Sequence, residues 1–336
     1  MEDTLPKLSQ KTFQGKTILV TGGTGSFGKN FIKSVLENDL PKKIIVFSRD
    51  EMKQFLMHED YKNNEVLEFV IGDVRDKESL DRVCKDVDYI VHTAAMKIVP
   101  SAEENPREVI KTNVLGAMNV IDVAIKNKVK KVIALSTDKA CNPVNLYGAT
   151  KLCSDKLFTN ANSYQYPKET SFSVVRYGNV LGSRGSVIPF FLEKKKEGVI
   201  PITDERMTRF WITLEQAVKF VIHCFECMRG GEIFVPKIPS MKITDLAKVI
   251  APECPIKYIG IRPGEKLHEI MIASDDARNT LEFGDCYVIK PDFNWWDNEN
   301  HLEGKQVPEG FSYMSNTNPN FLNIDQMKEL IKDFKI

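Results

Sequence analysis

The chain has 336 residues, of which 42% are hydrophobic and 27% are charged, so it carries enough apolar material for one large core or two linked cores. Lysine plus arginine and aspartate plus glutamate both total 46, which argues against nucleic acid or an anionic membrane surface as the main partner. Residues 1–14 lack the apolar stretch of a signal peptide, and no later stretch is long enough for a membrane span, so we expect a cytoplasmic protein that acts on a small molecule.

From residue 16 to about residue 180, short β-branched runs alternate with longer amphipathic stretches, the pattern of repeated βαβ units. Helices are predicted at 108–126 and 146–158. Near-continuous hydrophobicity predicts strands buried on both faces, in TILVTG, KIIVFS, LEFVIGD, DYIVHTAA, KVIALST and FSVVRYG. Right-handed crossovers between such units give an α/β fold with a doubly wound, Rossmann-like parallel sheet.

Three regions are predicted along the chain. We expect residues 1–14 to be a flexible arm and residues 15–180 to be a dinucleotide-binding domain. Beyond residue 180, glycine and proline interrupt the alternation of predicted strands and helices. This change favours a smaller mixed α/β domain over 181–336 that binds the substrate. Within that second region, the segment of about 205–235 is a candidate to return to the first domain.

A glycine-rich turn follows the first predicted strand and opens the first predicted helix. Its glycines, in TGGTGSFGKNF, have the spacing GxxGxxG. Glycine permits a tight turn and a close backbone approach, while the free N–H groups of the helix face a pyrophosphate. We therefore predict a dinucleotide site rather than a ligand-free turn, formed here by Gly22, Thr24, Gly25, Ser26, Phe27 and Gly28.

The end of the second predicted strand favours NADP as the dinucleotide. Arg49, in FSRDEMKQ, stands where an NAD enzyme often has a carboxylate, and its guanidinium can pair with the 2′-phosphate of NADP. Asp50 follows at once and keeps NAD as the alternative. Asp73, at the end of the third strand, is placed either to reach the adenine or to cap a turn.

A tyrosine and a lysine four residues apart follow the fifth predicted strand. Tyr147 and Lys151 share one face of a predicted helix, and an ammonium beside a phenol lowers the pKa of the phenol toward the working pH. Tyr147 is therefore a candidate base. A YxxxK match occurs by chance on many helices, but its place after a GxxGxxG domain makes the pattern specific.

The seven cysteines are an odd number and are scattered, which is typical of reduced thiols. Only Cys224 and Cys227 have the spacing of a metal or redox motif. They lie in an apolar, helix-like run, 217–228, that has no second such pair. We interpret them as buried small residues and predict no metal site, with a metal or redox role as the alternative.

The GxxGxxG turn, the Asn113–Val114 pair and YxxxK together resemble the extended short-chain dehydrogenase/reductase superfamily over nearly the whole chain. Within it, the chain looks like the inverting UDP-N-acetylglucosamine 4,6-dehydratases that begin pseudaminic acid biosynthesis. That resemblance rests on TGGTGSFGKNF, SRDEMKQ, GDVRD, STDKACNPVNLYGATKL, RYGNVLGSRGSVIPFF, MTRFWIT, GGEIFVPKIPSMK and IGIRPGEKLHE. It implies a lyase with tightly bound NADP that acts on a UDP-sugar.

The resemblance also implies roles for the residues between the fifth strand and YxxxK. Tyr147 would take the O4 proton while NADP⁺ accepts the C4 hydride, and Thr137 would steady O4. Lys139 would then remove the C5 proton, Asp138 would protonate the departing O6, and the hydride would return to C6. Dehydratases that retain the C5 configuration commonly carry Asp-Glu at this pair, so Asp-Lys points to inversion. Lys151 completes the catalytic set.

Lys139 can act as a base only when it is neutral, which requires a pKa below the ordinary value of about 10.4. Burial, Lys151 and the positive nicotinamide are expected to lower it. Simpler interpretations remain for the same residues. Asp138 and Lys139 could be a solvated turn pair, and Thr137 could be a helix cap.

Ligand contacts follow from the same resemblance. Arginines fit a diphosphate through their forked donors, although each could instead form a surface salt bridge. Ile98 stands where the family usually has histidine, which puts a polar contact there in doubt. Substrate contacts are implied for Lys97, Asn179, Val187, Arg209, Arg262 and Glu265, with Arg184 as a further donor. Cofactor contacts are implied for Ser48, Val74, Ala94, Ala95, Lys97, Asn113, Tyr147 and Lys151.

Other functions remain open at this point. A UDP-sugar 4-epimerase needs Tyr147 and Lys151 but neither Asp138 nor Lys139, and a retaining 4,6-dehydratase is a further alternative. A non-catalytic NADP-sensing scaffold is the third, and the intact Tyr147/Lys151 pair argues against it. The resemblance also implies a homo-oligomer, either a dimer or a hexamer.

Overall fold

The computed structural model describes residues 11–165, 168–183, 185–296, 301 and 303–332. Most of the expected arm, residues 1–10, lies outside the described residues. The described chain is built on one ten-stranded sheet and three small sheets. No described helix has both the length and the apolar character needed to cross a membrane.

The strands, in chain order, are β1 (Thr17–Thr21), β2 (Lys43–Ser48), β3 (Leu67–Ile71), β4 (Tyr89–His92), β5 (Lys131–Thr137), β6 (Ser171–Tyr177), β7 (Asn179–Val180), β8 (Ile200–Ile202), β9 (Thr208–Ile212), β10 (Ile233–Pro236), β11 (Ser240–Lys242), β12 (Ile256–Tyr258), β13 (Ile270–Ile272), β14 (Thr280–Glu282), β15 (Cys286–Ile289), β16 (Lys305–Gln306) and β17 (Tyr313–Met314). All six strands predicted before residue 180 are present. The predicted strands extend to Gly22, Gly72 and Thr93 or beyond, but in the structure β1, β3 and β4 end just before these residues, which lie in the connections that follow.

The helices are α1 (Ser26–Asn38), α2 (Glu51–Asp60), α3 (Lys77–Val83), α4 (Val99–Glu104), α5 (Pro106–Ile110), α6 (Gly116–Lys126), α7 (Leu146–Asn160), α8 (Val187–Lys196), α9 (Leu214–Cys227), α10 (Ile243–Ile250) and α11 (Ile324–Ile331). One π-helical turn, Lys111–Leu115, joins α5 to α6. The helix predicted over 108–126 is therefore interrupted by a wider turn, because Asn113 is drawn inward by tertiary hydrogen bonds described below.

The large sheet has the order β16-β14-β15-β10-β6-β5-β4-β1-β2-β3. Every pairing from β10 to β3 is parallel. All five residues of β1 are buried, as are five of six in β2, which explains their continuous apolar sequence. The predicted α/β doubly wound, Rossmann-like sheet is confirmed.

The chain returns to this sheet after residue 180. Strand β10 adds to β6 in parallel, and β15 and β14 then continue the sheet antiparallel. Helix α9 packs against α1 and, like β10, it falls in the 205–235 segment singled out from the sequence. The first half and the C-terminal half of the chain are therefore joined by backbone hydrogen bonds within one sheet.

A second, smaller core lies in the C-terminal half. It is built from buried side chains of α8, α10, α11 and the short strands between them, including Phe191, Trp211, Leu246 and Met327. Helix α10 places Ile243, Leu246, Ala247 and Ile250 on one buried face, the 3.6-residue spacing of an amphipathic helix. This mixed α/β region forms part of the wall of the cavity described next.

Candidate active site

A cavity of about 920 Å³ runs along the carboxyl ends of the parallel strands. Each of the first six strands contributes to its lining at or just after its last residue, through Gly22, Ser48, Gly72, Thr93, Thr137 and Gly178. Ligands of open α/β sheets bind at this edge, because successive loops there converge on one crevice. The sheet therefore positions a binding site where the sequence motifs meet.

Most of the predicted site residues line this one cavity. They are Gly22, Thr24, Gly25, Ser26, Phe27, Ser48, Arg49, Asp73, Val74, Ala94, Ala95, Lys97, Thr137, Lys139, Tyr147, Lys151, Asn179, Val187, Arg209, Arg262 and Glu265. Three predicted residues, Gly28, Asn113 and Asp138, lie behind the lining. Arg184 lies outside the described residues.

The glycine-rich turn is shaped by close backbone approaches. Gly22 has φ +68°, and a Cβ there would lie 2.7 Å from Oγ1 of Thr93. A Cβ on Gly28 would lie 2.6 Å from Cα of Gly23, so α1 packs on the turn at a distance that only glycine allows. Gly25 caps α1 without a side-chain hydrogen bond. The first N–H groups of α1 can therefore serve a pyrophosphate, and the turn fits a dinucleotide.

The polar groups at the ends of β2 and β3 are arranged around Arg49. Its Nη1 lies 3.8 Å from Oδ2 of Asp73, and the side chain is 55% exposed. Asp50 instead caps α2, accepting a hydrogen bond of 3.0 Å from the backbone N–H of Lys53. Burial would raise the pKa of the Asp73 carboxyl, but hydrogen bonds from Arg75 lower it. A second cation that sequence reasoning missed, Lys53, also lines the cavity here.

Asn113 lies behind the cavity lining and stabilises the site through hydrogen bonds, instead of facing the cavity. Its Oδ1 accepts a hydrogen bond of 2.8 Å from the backbone N–H of Met96, and its Nδ2 donates to the Met96 carbonyl at 2.9 Å. Nδ2 also lies 3.1 Å from Oγ1 of Thr150 on α7. Asn113 therefore ties the loop after β4 to the helix that carries the YxxxK pair.

Helix α7 presents the YxxxK pair to the cavity. Asn145 caps it by accepting a hydrogen bond of 2.8 Å from the backbone N–H of Gly148, and its Nδ2 donates to the carbonyl of Gly264 at 2.7 Å. Tyr147 and Lys151 are one turn apart, and both are buried in the cavity wall. The cap therefore also links α7 to the loop that carries Arg262 and Glu265.

The expected lowering of the Tyr147 pKa is not found in the protein without its cofactor. Burial raises the pKa of Tyr147 to about 12, and the Lys139 ammonium and the Thr137 hydroxyl only partly oppose it. Burial also lowers the pKa of Lys151, against the attraction of Asp155. Desolvation of the phenol thus outweighs the cations around it, a balance that residue spacing alone does not reveal.

Thr137, Asp138 and Lys139 leave the end of β5 as a connected group. Oγ1 of Thr137 donates to Oδ1 of Asp138 at 2.9 Å, and Nζ of Lys139 lies 3.0 Å from the same oxygen. Asp138 is fully buried and Lys139 lines the cavity. The interpretation of Asp138 and Lys139 as a solvated turn pair is therefore wrong.

A buried glutamate that sequence reasoning missed completes this group. Oε1 of Glu269 lies 3.2 Å from Nζ of Lys139 and 3.5 Å from Nε of Arg209. Glu269 is 2% exposed and stands just before β13, 130 positions after Lys139. The only available signal was its place at the end of IGIRPGEKLHE, a string that carries the family resemblance.

The pKa of Lys139 differs from the sequence expectation. Burial would lower the pKa of its ammonium, but the carboxylates of Asp138 and Glu269 outweigh burial and raise it above the ordinary value. The pKa of Asp138 is raised as well, chiefly by burial and further by Glu269, although Lys139 opposes this. Two carboxylates facing one ammonium explain why Lys139 is protonated in the protein without ligands.

The two arginines that the C-terminal half contributes to the cavity wall differ in burial and in hydrogen-bond partners. Arg209 is nearly buried and donates to the backbone carbonyls of Thr208, Lys266 and Leu267 at 2.7, 2.9 and 3.1 Å, so it also fixes the loop before Glu269. Arg262 is 62% exposed and pairs with Glu265 at 2.9 Å. Arg262 is therefore the freer of the two guanidiniums to meet a ligand phosphate.

Within the described part of the chain, no cluster of histidine, cysteine or acidic side chains has the arrangement of a metal site. Cys224 is buried and Cys227 half-buried, both as free thiols. Burial raises the pKa of the Cys227 thiol to about 12, which disfavours the thiolate that metal ligation requires. Both residues lie on α9, where Cys224 joins the main core.

Comparison with known proteins places the chain in a family. A family model described as "Polysaccharide biosynthesis protein" matches residues 18–291. A Campylobacter jejuni protein named "UDP-N-acetylglucosamine 4,6-dehydratase (inverting)" is 58% identical over 328 residues, covering 95% of this chain and 98% of that protein. A Rickettsia canadensis protein named "UDP-glucose 4-epimerase" is 43% identical over 332 residues, covering 95% and 96%.

Solved structures agree with this placement. The X-ray structure of Pen from Bacillus thuringiensis has a TM-score of 0.88 and 37% identity, covering 96% of this chain and 98% of that chain. DesIV, a dTDP-glucose 4,6-dehydratase from Streptomyces venezuelae, has a TM-score of 0.67 and 23% identity over 75% of this chain and 87% of that chain, a likeness of fold alone. The chain therefore belongs to the polysaccharide biosynthesis protein family and is, within the extended short-chain dehydrogenase/reductases, a relative of the inverting UDP-N-acetylglucosamine 4,6-dehydratases.

Proposed function

We propose that the protein converts UDP-N-acetylglucosamine into a UDP-2-acetamido-2,6-dideoxy-4-keto-hexose of L-arabino configuration, by 4,6-dehydration with inversion at C5. The observation that carries this proposal is that Lys139, paired with Asp138, shares one cavity with Tyr147. The 58% identity to the inverting dehydratase of Campylobacter jejuni supports the same substrate and outcome. The enzyme class is a carbon–oxygen lyase that regenerates its cofactor in each turnover.

The reaction begins at O4 of the sugar. A bound nicotinamide dinucleotide supplies the oxidant at C4 and returns the same hydride at C6. Tyr147 takes the O4 proton, and Thr137 holds the oxygen by a hydrogen bond. Because burial raises the pKa of Tyr147 to about 12, deprotonation depends on added positive charge in the closed site, from Lys151 and from the bound cofactor.

Elimination needs a neutral Lys139 and a protonated Asp138. Transfer of one proton from the Lys139 ammonium to the Asp138 carboxylate, across their 3.0 Å contact, produces both states at once. The proton passes to Oδ1, the oxygen that faces Nζ, while Oδ2 has no hydrogen-bond partner among the described residues. The Lys139 amine then takes the C5 proton, and the Asp138 carboxyl group supplies the proton with which O6 leaves as water. Once the hydride is back at C6, C5 takes up a solvent-exchangeable proton on the face opposite to the one that lost its proton, which inverts the configuration at C5.

We propose NADP as the dinucleotide. Arg49 and Lys53 place two cations at the end of the cavity formed by β2, where the adenosine ribose of a dinucleotide lies in this fold. Asp50, the acidic side chain that could favour NAD there, caps α2 and pairs with Lys53, and Asp73 pairs with Arg49 and Arg75. The test is to denature purified protein and identify the released nucleotide by mass spectrometry, with NAD as the contradicting result.

The remaining assignments are proposals of the same kind. Asn179, Val187, Arg209, Arg262 and Glu265 form the substrate side of the cavity, on the region after residue 180 that we assign to UDP-sugar binding. The protein acts in the cytoplasm as a homo-oligomer, a dimer or hexamer. Its product enters pseudaminic acid or related nonulosonate biosynthesis for surface glycans.

The decisive experiment is product analysis by NMR after incubation with UDP-N-acetylglucosamine in deuterium oxide. The expected product is a 6-deoxy-4-keto sugar that carries deuterium at C5 with inverted configuration. Retained C5 configuration would contradict the assigned role of Lys139. A product that keeps its 6-hydroxyl group would instead support the 4-epimerase function suggested by the name of the Rickettsia canadensis relative.

A further inference from the structure

Glu269 is an ionisable side chain in the cavity wall that the reaction described above does not use. It is 2% exposed, yet it lines the cavity beside Lys139. Three cations surround it, with Lys139 at 3.2 Å, Arg209 at 3.5 Å and Lys266 at 3.9 Å. A buried carboxylate is costly unless it is paired, so this arrangement is built around a charged Glu269.

The backbone holds Glu269 in place independently of the cations. Its N–H donates to Oγ of Ser315, and its carbonyl accepts from the N–H of Ser315, each at 2.9 Å. The next residues form β13, which pairs with β17. The carboxylate is therefore delivered to Lys139 by a rigid element from a distant part of the chain.

The amine of Lys139 has three oxygen acceptors, one for each proton of an ammonium group. They are Oδ1 of Asp138 at 3.0 Å, Oε1 of Glu269 at 3.2 Å and Oδ1 of Asn179 at 3.4 Å. A neutral amine keeps only two N–H groups and gains one lone pair. The carboxylate of Glu269 can retain one of these N–H groups, which fixes the rotation of the amine while its lone pair is left for proton exchange with Asp138 and C5.

We propose that Glu269 is a positioning residue for Lys139, whose carboxylate orients the neutral amine toward C5 of the sugar and stabilises the ammonium formed there. This inference rests on the proposed function. In the step concerned, the C5–H bond breaks, its proton binds to the amine, and its electron pair passes into the enolate of the 4-ketone. The resulting ammonium lies 3.2 Å from a fixed negative charge.

The electrostatic surroundings support this role. Burial would raise the pKa of Glu269, but Lys139, Arg209 and Lys266 outweigh burial and lower it. When Lys139 is neutral, Arg209 and Lys266 still face the Glu269 carboxylate, while Asp138, whose pKa is raised, is the partner that changes protonation. The two carboxylates that face Lys139 therefore have different tasks.

The test is Glu269→Gln in the full-length protein with its cofactor, which keeps the shape and removes the charge. We expect kcat for product formation and the rate of C5 deuterium exchange to fall about tenfold to a hundredfold, which is less than the contribution of about a hundredfold to ten-thousandfold from an acid–base group itself, because Glu269 acts through Lys139. KM should change by less than about threefold. Reduced nicotinamide, followed by its absorbance, should accumulate, because oxidation at C4 does not use Glu269.

The matched control is Glu253→Gln, which breaks an exposed pair with Lys195 outside the cavity lining and should behave as wild type. Unchanged C5 exchange in Glu269→Gln would overturn the inference, as would equal loss of C4 oxidation in a folded variant. If Glu269→Gln does not fold, Glu269→Asp is the second variant, because it keeps the negative charge on a side chain that is one methylene shorter. This variant should also lose C5 exchange while it retains oxidation at C4. Wild-type C5 exchange would contradict the inference. Wild-type protein that forms no 4-keto product would instead refute the proposed function.

Discussion

Nζ of Lys139 lies 3.0 Å from Oδ1 of the preceding Asp138, so two consecutive side chains form one ion pair at the end of β5. Glu269 approaches the same ammonium from the other side at 3.2 Å. Replacement of Lys139 by glutamate would therefore put three carboxylates in contact in a buried place. A neutral residue that still donates hydrogen bonds is the better probe of this position.

Lys139→Gln should abolish the C5 chemistry while it preserves cofactor binding. We expect product formation to fall by at least about a hundredfold, because the base is removed and only an amide replaces it. Reduced nicotinamide should still form when UDP-N-acetylglucosamine is added. The measurements are C5 deuterium exchange by NMR and nucleotide content after denaturation, and loss of bound nucleotide would mean that Lys139 holds the cofactor.

Tyr147→Phe should show a different pattern. Without the phenol, O4 keeps its proton, so both nicotinamide reduction and C5 exchange should fall by about a hundredfold or more. The ring is retained, and stability should change by less than about 1 kcal/mol. Stopped-flow absorbance and urea unfolding give the two readouts. Biological activity that is unchanged in this variant would favour a non-catalytic NADP-binding role.

Arg49→Ala tests the preference for NADP. A charged hydrogen bond contributes about 1.5 to 3 kcal/mol, so affinity for NADP should fall by about ten- to a hundredfold. NAD lacks the 2′-phosphate, and its affinity should be nearly unchanged. Calorimetric titration of nucleotide-depleted protein with both dinucleotides gives the comparison, and an equal loss for both would show that Arg49 does not recognise the 2′-phosphate.

Gly28→Ala should destabilise the protein although alanine is the better helix former by about 1 kcal/mol. The added Cβ would lie 2.6 Å from Cα and O of Gly23, and a clash between backbone atoms cannot be relieved by side-chain rotation. We expect a loss of about 1 to 3 kcal/mol and weaker nucleotide binding. The control is Gly284→Ala, where no atom lies within 4 Å and φ is not positive.

His92 should make the protein sensitive to acid. Burial lowers the pKa of His92 to about 3, with Lys151 contributing, and the ring is bound to Thr21 at 2.8 Å. The unfolded chain binds this proton near pH 6.5 and the folded protein does not, so stability falls as pH drops from about 6.5 toward 3.

The measurement is urea unfolding at pH 7 and pH 5. From this one group, wild type should lose about 2 kcal/mol between these pH values, and His92→Gln should lack that part of the loss. His58→Gln, at an exposed position, should keep the wild-type dependence. Equal pH dependence of wild type and His92→Gln would show that His92 is protonated in the folded protein.

Much of the fold was predictable because the local sequence pattern and the tertiary environment agree. The predicted bounds of β2 and β5 match the structure, and α7 begins at Leu146 as predicted. These are segments where buried strands and capped helices have strong local signals. The π-helical turn was not predictable, because the hydrogen bonds of Asn113 to Met96 and Thr150 join positions far apart in the chain.

The candidate site was predictable as a set of residues but not as an electrostatic system. The GxxGxxG turn, Asp138, Lys139 and Tyr147 stand in short motifs with known spacing. The predicted lowering of the Lys139 pKa is not found in the ligand-free protein, because Glu269 comes from a segment 130 positions later and no spacing rule connects the two. The predicted lowering of the Tyr147 pKa was wrong because burial is a property of the packed structure.

The parallel pairing of β10 with β6 and the antiparallel pairing of β15 with β10 have a consequence for how ligands enter. A hinge that swung the C-terminal half away from the nucleotide would have to break main-chain hydrogen bonds in the middle of a ten-stranded sheet. Any movement that admits a ligand and keeps this sheet intact is therefore confined to elements outside the sheet. The exposed stretch of Tyr258, Ile259 and Ile261 beside Arg262 is one such part of the wall, since it lies outside the large sheet and Ile259 lines the cavity.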